Sequence, residues 1–177
     1  MYLNPPGISN EIIEAIAESK KVVKYIDMPI QHINDEILKK MHRTDTHQKI
    51  AGLIEKTRKS IPDVMLRTTV MVGFPSETDN QFEELADFVK TVLFDALGCF
   101  TFWPEEGTKA AQLPGQIAED VKQERREKIM LIQQKIAFEK NAGKKGQVLE
   151  CLICLIGENT GEKPAVGRYY GQGPGID

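Results

Sequence analysis

The sequence predicts an α/β fold with a parallel sheet in residues 1–144, followed by a small all-β segment in residues 145–177. Short apolar runs alternate with longer helical patterns, as in right-handed βαβ units. After Gly146 the helical pattern stops, and glycines and strand-forming residues take over. A chain of 177 residues can bury one solid core, which fits one main domain with a small appendage.

The first predicted elements are a helix and a short strand. Ser9 or Asn10 can cap the helix. Its apolar residues recur with helical spacing at Ile12, Ile13 and Ile16. A strand should then run from Val22 until Pro29 ends it, because proline cannot donate a hydrogen bond to a neighbouring strand.

Two helices are predicted between this strand and the next. Asn34 can cap a short helix over residues 35–41, where early acids suit the positive end of the helix dipole. Thr46 can cap a second helix that ends near Pro62. Its inward-facing residues are expected to be Ile50, Leu53 and Ile54.

The later strands and helices alternate in the same way. Residues 64–72 are apolar enough for a strand that is buried on both faces, as parallel strands are. Ser76 and Asp79 approximate a capping box for a helix over residues 81–94. The third strand is predicted at residues 96–103. The long last helix is predicted at residues 118–143, and Gly143 closes it.

Composition and charge limit the classes of function. The net charge of −3 does not indicate bulk attraction to nucleic acid. The sequence shows neither a membrane-spanning apolar run nor a signal peptide pattern, so we expect a cytoplasmic protein without membrane contact. Three cysteines, an odd number, favour a reducing compartment over a disulfide framework.

Three polar segments follow the predicted strands and indicate a ligand site. They read MPIQH, VGFPSET and FWPEEGT. Parallel strands deliver their carboxyl ends to one rim, and α/β proteins bind ligands there. One ligand site is therefore favoured over three unrelated turns. His32, which ends the first segment, could cap the following helix or contact a substrate.

Four segments resemble the radical S-adenosylmethionine methylthiotransferases. They are KYIDMPIQH, RTTVMVGFPSET, FTFWPEEGTKA and the tail GRYYGQGPGID, in the order and near the spacing of that family. YIDMPIQH, LKKMHR and the tail are similar to the RimO branch, which thiomethylates an aspartate β-carbon of ribosomal small-subunit protein twelve. The resemblance covers nearly the whole chain.

The resemblance implies the C-terminal portion of a partial radical SAM barrel in residues 1–144 and a partial all-β, OB-like TRAM domain in residues 145–177. In this family the barrel holds S-adenosylmethionine across its strand ends. The residues that match the cofactor-binding positions are Gln31, Arg67, Gly73, Phe74, Pro75 and Phe102. Gly73 permits close approach of a ligand, and Pro75 stiffens the turn. Ser76 and Glu77 are expected to serve the start of the following helix.

Arg67 lies inside an otherwise apolar strand, so a buried guanidinium there needs a partner. One hypothesis is that Arg67 and Gln31 grip the polar end of S-adenosylmethionine. The alternative is that Arg67 pairs with a local acid such as Glu77 or Glu105.

The cysteines do not match the cluster motif of the family. Radical S-adenosylmethionine chemistry uses a 4Fe-4S cluster held by three cysteines spaced Cys-x3-Cys-x2-Cys, and these enzymes carry a second 4Fe-4S cluster. Cys99, Cys151 and Cys154 lack this spacing. We therefore expect a fragment without catalytic or metal-ligating residues, with the ligands of both clusters upstream of Met1.

Cys151 and Cys154 could also suggest a metal or redox pair. They lie in a continuous strand-like run, where residues three apart point to opposite faces. We expect packing roles for both, and a core position for Cys99 in the third strand.

The resemblance implies a radical SAM sulfur transferase with ribosomal small-subunit protein twelve as its substrate and RNA as a further candidate partner of the TRAM segment. One alternative is the tRNA-modifying branch, which typically shows Leu-Pro-Val-Gln-Ser-Gly in place of MPIQH. Another alternative is a non-catalytic remnant that binds ribosomal protein or RNA.

The chain departs from the family pattern at named positions. Ser76 replaces the second glycine of the usual Gly-Phe-Pro-Gly-Glu-Thr. Phe102 and Trp103 stand where the family usually shows Tyr-Ser. In the tail, Gly173 and Gly175 replace the usual alanine and glutamate.

Overall fold

The computed structural model describes residues 3–155 and 165–173, and its main body is a parallel three-stranded sheet covered by helices. The strands lie in chain order across the sheet and are β1 (Tyr25–Asp27), β2 (Met65–Val72) and β3 (Ala96–Thr101). Both neighbouring pairs are parallel, so the predicted α/β class is confirmed.

Helices connect and flank these strands. The α-helices are α1 (Asn10–Glu18), α2 (Asp35–Lys40), α3 (His47–Ser60), α4 (Asp79–Val92) and α5 (Glu119–Ala142). Two short 3-10 helices lie at Pro5–Gly7 and Ala110–Gln112. Within the described ranges, no helix is long and apolar enough to cross a membrane.

Side chains at the first turns explain where three of the helices begin. Ser9 accepts a hydrogen bond from a backbone N–H of α1, and Asn34 accepts two from α2. Thr46 does the same for α3. These caps were predicted, because the choice of a polar capping residue is a local property of the chain.

The two faces of β2 differ in character. One face belongs to the hydrophobic core and carries Leu66, Val70 and Val72. Helical residues in the same core include Ile13, Ile50, Leu85 and Ile129. Side chains alternate along a strand, so the other face carries Arg67, Thr69 and Met71. The expectation of a strand buried on both faces holds except at three half-buried positions on that second face, Met65, Thr69 and Met71.

The predicted start of the first strand is wrong. β1 begins at Tyr25, whereas Val22 and Val23 are exposed. Lys24 donates hydrogen bonds from its ammonium group to the carbonyl oxygens of Ala17 (2.8 Å) and Ser19 (2.9 Å) at the end of α1. The apolar pair therefore belongs to the connection that follows α1.

The predicted cap of α4 is also wrong. Thr78 is the N-cap, and it forms a capping box with Gln81 in which each side chain accepts from the backbone N–H of the other residue. Ser76 is not free for this role, because its hydroxyl donates to the carbonyl oxygen of Pro114 at 3.0 Å.

The C-terminal part forms an antiparallel hairpin of β4 (Cys151–Leu155) and β5 (Val166–Tyr169). The Tyr170 hydroxyl donates to the carbonyl oxygen of Asp63 at 2.9 Å, which ties the hairpin to the main body. The division into residues 1–144 and 145–177 stays a prediction. Residues 156–164 and 174–177, the latter including Gly175, lie outside the described ranges.

Candidate functional site

The carboxyl ends of β2 and β3 lie side by side, and the segment that follows β1 reaches the same edge at Gln31. We call this edge with its loops the rim. After β1, the Gln31 N–H donates to the carbonyl oxygen of Thr69 at 2.9 Å, and the Gln31 carbonyl accepts from the N–H of Met71 at 2.7 Å. The Phe102 N–H donates to the carbonyl oxygen of Val72 at 2.8 Å. The segments after all three strands therefore meet at one edge.

Gln31 combines a strained backbone with an available side chain. Its φ of 66° lies in the left-handed region, which costs a residue other than glycine about 1 kcal/mol. Its side chain is half-buried and makes no hydrogen bond with another described residue. Strained backbone of this kind clusters at ligand sites, and the Gln31 amide is in a position to meet a ligand.

The turn after β2 folds around a buried carboxylate. We call residues 73–77 the rim turn. One oxygen of Glu77, Oε2, accepts hydrogen bonds from the backbone N–H groups of Gly73 and Phe74, the latter at 3.1 Å. Glu77 is 2% exposed. Glu77 therefore closes the rim turn, and the predicted role at the start of α4 belongs to Thr78 instead.

Arg125 of α5 compensates the buried charge of Glu77. Its Nη1 lies 3.6 Å from Oε2 of Glu77 and also donates to the backbone carbonyl of Glu77 at 3.2 Å. Its Nη2 donates to Asp79 at 2.7 Å. A buried carboxylate needs such a partner, so α5 helps to hold the rim turn in place.

Position 73 needs a glycine for two reasons, its backbone conformation and a closely packed side chain. Its φ of 73° favours glycine. A Cβ at this position would overlap the side-chain carbons of Lys122, which is 4% exposed. The side of Gly73 that lacks a Cβ therefore packs on α5, and the predicted close approach of a ligand would have to use another side.

Aromatic side chains form a second, smaller apolar cluster at the rim. Phe74 and Phe102 pack edge to face, with ring centroids 5.1 Å apart, and Ile37 is buried with them. Met71 from β2 packs against this cluster. Trp103, which departs from the family pattern, is 73% exposed and does not belong to it.

The predicted acid partner of Arg67 was misidentified. Nη1 of Arg67 forms an ion pair with Oδ2 of Asp27 at 2.8 Å, and both residues are buried. The acid is thus on the neighbouring strand, and neither Glu77 nor Glu105 takes this role. Arg67 precedes Gly73 by six residues, about 20 Å along the strand.

A cavity of about 800 Å³ lies at the amino ends of β2 and β3, between the sheet, α5 and the hairpin. Arg67 lines it, together with Met65, Gln133, Lys140 and Tyr169. The structure therefore brings Gln31, Gly73, Phe74, Pro75 and Phe102 to the rim, and places the ion pair of Arg67 nearer the opposite end of the sheet. A joint grip of Arg67 and Gln31 on one ligand stays a prediction.

Sequence reasoning missed Asp27, Lys122 and Arg125. A signal existed for Asp27, because it is a charged residue inside the apolar run YIDMPI. No local signal marked Lys122 or Arg125, since their importance depends on how α5 packs against the rim turn.

The cysteines are separated in space. Cys99 is buried in β3, and this desolvation raises the pKa of its thiol to about 12. The Cys154 sulfur accepts from Nε of Arg168 at 3.2 Å, whereas Cys151 lies on the opposite face beside Ile153 and Gly167. The predicted opposite-face geometry is confirmed.

An iron-sulfur cluster does not fit the part of the chain that the structure describes. In residues 3–155 and 165–173, no group of three or more histidine, cysteine, aspartate or glutamate side chains could hold a metal ion. The ligands that a 4Fe-4S cluster needs are therefore not supplied by these residues.

Comparison with known families identifies the fold. The profile of the Radical SAM superfamily matches residues 1–89, which include β1, β2 and the rim turn. The chain belongs to the radical SAM superfamily. The predicted fold, part of a radical SAM barrel, is confirmed, and the TRAM assignment stays a prediction.

Two curated proteins that are similar to this chain share one name. The chain is 46% identical over 177 residues to the "Ribosomal protein uS12 methylthiotransferase RimO" of Clostridium acetobutylicum. It is 42% identical over 177 residues to the protein of the same name from Bdellovibrio bacteriovorus. Both matches cover 100% of this chain, which spans 39% and 38% of the two relatives.

Two solved structures share the fold. Escherichia coli coproporphyrinogen III oxidase HemN aligns with a TM-score of 0.58 at 18% identity, covering 80% of this chain and 32% of that one. Elp3 of Methanocaldococcus infernus aligns with a TM-score of 0.54 at 13% identity, covering 76% of this chain and 32% of that one.

Proposed function

We propose that the chain is the cofactor-positioning, C-terminal part of a radical SAM methylthiotransferase that adds a methylthio group to an aspartate β-carbon of ribosomal protein uS12. The observation that carries this proposal is the match over all 177 residues to proteins named for that activity. The quoted segments MPIQH and the tail favour this substrate over tRNA.

S-adenosylmethionine fits the donors and surfaces of the rim. The Gln31 amide can donate and accept, and it is not engaged by another described residue. Phe74 and Phe102 are 4% and 6% exposed, so their pair would form the apolar floor beneath the adenine ring. Pro75 keeps the rim turn stiff, so little ordering of the turn should accompany binding.

The residues of this chain would act on the cofactor by orienting it. Bound S-adenosylmethionine supplies, in this superfamily, the radical that removes a hydrogen atom from the substrate. Gln31 would fix its polar edge, and the Phe74 and Phe102 rings would exclude water from the adenine side. The described residues do not fit a 4Fe-4S cluster, so we assign them no step that requires one.

Partner binding is the second part of the proposal. The substrate would be ribosomal protein uS12, and residues 145–177, as a partial TRAM domain, would be the segment in reach of RNA. Arg168 and Tyr170 on the hairpin provide a cation and a half-exposed ring for such a contact.

A calorimetric titration with S-adenosylhomocysteine tests cofactor binding at the rim. Gln31→Ala should weaken binding by about tenfold, which corresponds to one lost hydrogen bond. Alanine at Gln31 keeps the same positive φ, so the backbone strain is unchanged. Gln48→Ala is the matched control, because Gln48 is an exposed amide on α3. Equal affinity of Gln31→Ala and wild type would contradict the assignment of Gln31.

Biolayer interferometry with purified uS12 and with tRNA tests the partner. Retention of uS12 supports the proposal. Retention of tRNA without uS12 would favour the tRNA-modifying branch. Binding of uS12 without any affinity for S-adenosylhomocysteine would favour a non-catalytic binding remnant.

A further inference from the structure

A buried histidine faces the carboxylate that holds the rim turn. His32 is 0% exposed, and its Nε2 lies 3.8 Å from Oε1 of Glu77. Neither atom has a hydrogen-bond partner among the described residues. Buried donors and acceptors rarely remain unpaired, so each atom is the natural partner of the other.

The other ring nitrogen defines which tautomer of His32 fits. Nδ1 lies 3.0 Å from the backbone N of Asn34, so it accepts that N–H. In a neutral imidazole the proton is then on Nε2, which becomes a donor aimed at Glu77. The same backbone N–H also connects His32 to the cap of α2, since Asn34 is its N-cap.

The two carboxylate oxygens of Glu77 face two different segments of the chain. Oε2 receives the N–H groups of Gly73 and Phe74, and Oε1 faces His32. His32 directly follows Gln31, whose backbone is bonded to β2 on both sides. The carboxylate therefore lies between the segment of Gln31 and the rim turn.

We propose that His32 is a positioning residue of the rim, which donates from Nε2 to Oε1 of Glu77 and thereby fixes the rim turn relative to Gln31. The pair would set the spacing between the polar contact at Gln31 and the aromatic surface at Phe74. This role in ligand binding rests on the proposed function, whereas the coupling of His32 to the rim turn does not.

Amide hydrogen exchange tests the coupling in the free chain. In His32→Phe, the amides of Gly73 and Phe74 should exchange about tenfold faster, because their acceptor is less well held. Amides of the core, such as those of Val70 and Leu85, should keep their rates. Unchanged rates at Gly73 and Phe74, or an equal increase throughout the core, would overturn the proposal.

Two further variants keep the test independent of general destabilisation. His32→Gln carries an amide N–H near the place of Nε2 and should restore much of the protection at Gly73 and Phe74. His47→Phe is the matched control, because His47 is an exposed histidine on α3 that pairs with Glu84. Protection lost equally in His32→Gln and His32→Phe would also overturn the proposal.

The state of the imidazole gives a spectroscopic test. In histidine-labelled protein, His32 should show the neutral tautomer with the proton on Nε2 and a slowly exchanging, downfield N–H resonance. His42 and His47 provide the comparison in the same spectrum. A fast-exchanging ring proton on His32, or the tautomer with the proton on Nδ1, would overturn the pairing.

Ligand titration separates this inference from the proposed function. If wild type binds S-adenosylhomocysteine and His32→Phe binds about tenfold more weakly, both stand. If wild type does not bind, the proposed function fails, and the exchange rates still decide the coupling. If wild type and His32→Phe bind equally, the inference fails and the proposed function stands.

Discussion

Ser76 shows at the scale of one residue how a departure from the family pattern is accommodated. Its φ of 65° is the conformation that the usual glycine adopts easily. The serine adds contacts in return, because its N–H donates to the carbonyl oxygen of Gly115 at 2.7 Å and its hydroxyl to that of Pro114 at 3.0 Å. The hydroxyl thus ties the rim turn to the loop before α5.

Two substitutions at Ser76 separate these effects. Ser76→Ala keeps the strained φ and loses the hydroxyl, so the free energy of unfolding should fall by about 1 kcal/mol. Ser76→Gly loses the same hydrogen bond but relieves a strain of about 1 kcal/mol, so its stability should stay near that of wild type. Urea unfolding measures both. A glycine variant less stable than the alanine variant would contradict this explanation.

Cys99 should make stability depend on pH in the alkaline range. Burial raises the pKa of its thiol from 9.0 to about 12. Between these values the unfolded thiol is ionised while the folded thiol stays protonated, so the free energy of unfolding falls as pH rises. The slope is about 1.4 kcal/mol per pH unit.

Urea unfolding of Cys99→Ala at pH 8 and pH 10 isolates this contribution. From pH 8 to pH 10, the free energy of unfolding of wild type should fall by about 1.4 kcal/mol relative to that of Cys99→Ala. Cys151→Ala is the control, because Cys151 is exposed and should show no such shift. If the difference in unfolding free energy between wild type and Cys99→Ala stays constant with pH, the Cys99 thiol is solvated in the folded protein.

At the scale of elements, the contact between the rim turn and α5 should be energetically coupled. Gly73→Ala introduces strain at a φ of 73° and an overlap with Lys122, so it should cost about 2 to 4 kcal/mol. In a Lys122→Ala background the overlap with Cγ and Cδ disappears and only a contact with the Cβ at 3.2 Å remains, so the cost should fall to about 1 to 2 kcal/mol. A double-mutant cycle measured by urea unfolding gives the coupling energy.

Gly107 provides the matched control for that cycle. Its φ of 81° is also positive, but an added Cβ would meet nothing within 4 Å. Gly107→Ala should therefore cost only the backbone strain, about 1 kcal/mol, with or without Lys122→Ala. Equal costs at Gly73 and Gly107 would show that Lys122 moves away without penalty.

The same elements show what the sequence can predict. The caps Asn34 and Thr46 were found because a cap depends on residues within one helical turn. The predicted Ser76 cap was wrong, because Ser76 itself has a positive φ in the rim turn and Thr78 is the capping residue of α4. The order of the rim segments followed from parallel topology, which periodicity reveals.

Contacts between distant parts of the chain could not be predicted in this way. The pairing of Arg67 with Asp27 depends on the register between β1 and β2, which no local pattern specifies. The position of Arg125 beside Glu77 depends on how α5 crosses the sheet. The sequence therefore indicated which segments form the rim, but not the charges that hold it.

At the scale of the whole molecule, α5 connects the rim with the hairpin. Its first turns contact the rim turn through Lys122 and Arg125. Near its other end, Lys140 donates to Asp95 at 2.5 Å, at the start of β3. The hairpin then follows, and Tyr170 joins it to the main body at Asp63. One helix thus spans both ends of the sheet.

Tyr170→Phe should loosen the hairpin without loosening the sheet, because it removes the hydroxyl bond to Asp63 and keeps the ring. The loss of one hydrogen bond, about 1 kcal/mol, should raise amide exchange in β4 and β5 by about fivefold. The amides of β2 should keep their rates, since the core around Val70 is untouched. Equal acceleration in the hairpin and in β2 would show that both open as one cooperative unit, and the predicted division between residues 144 and 145 would then be wrong.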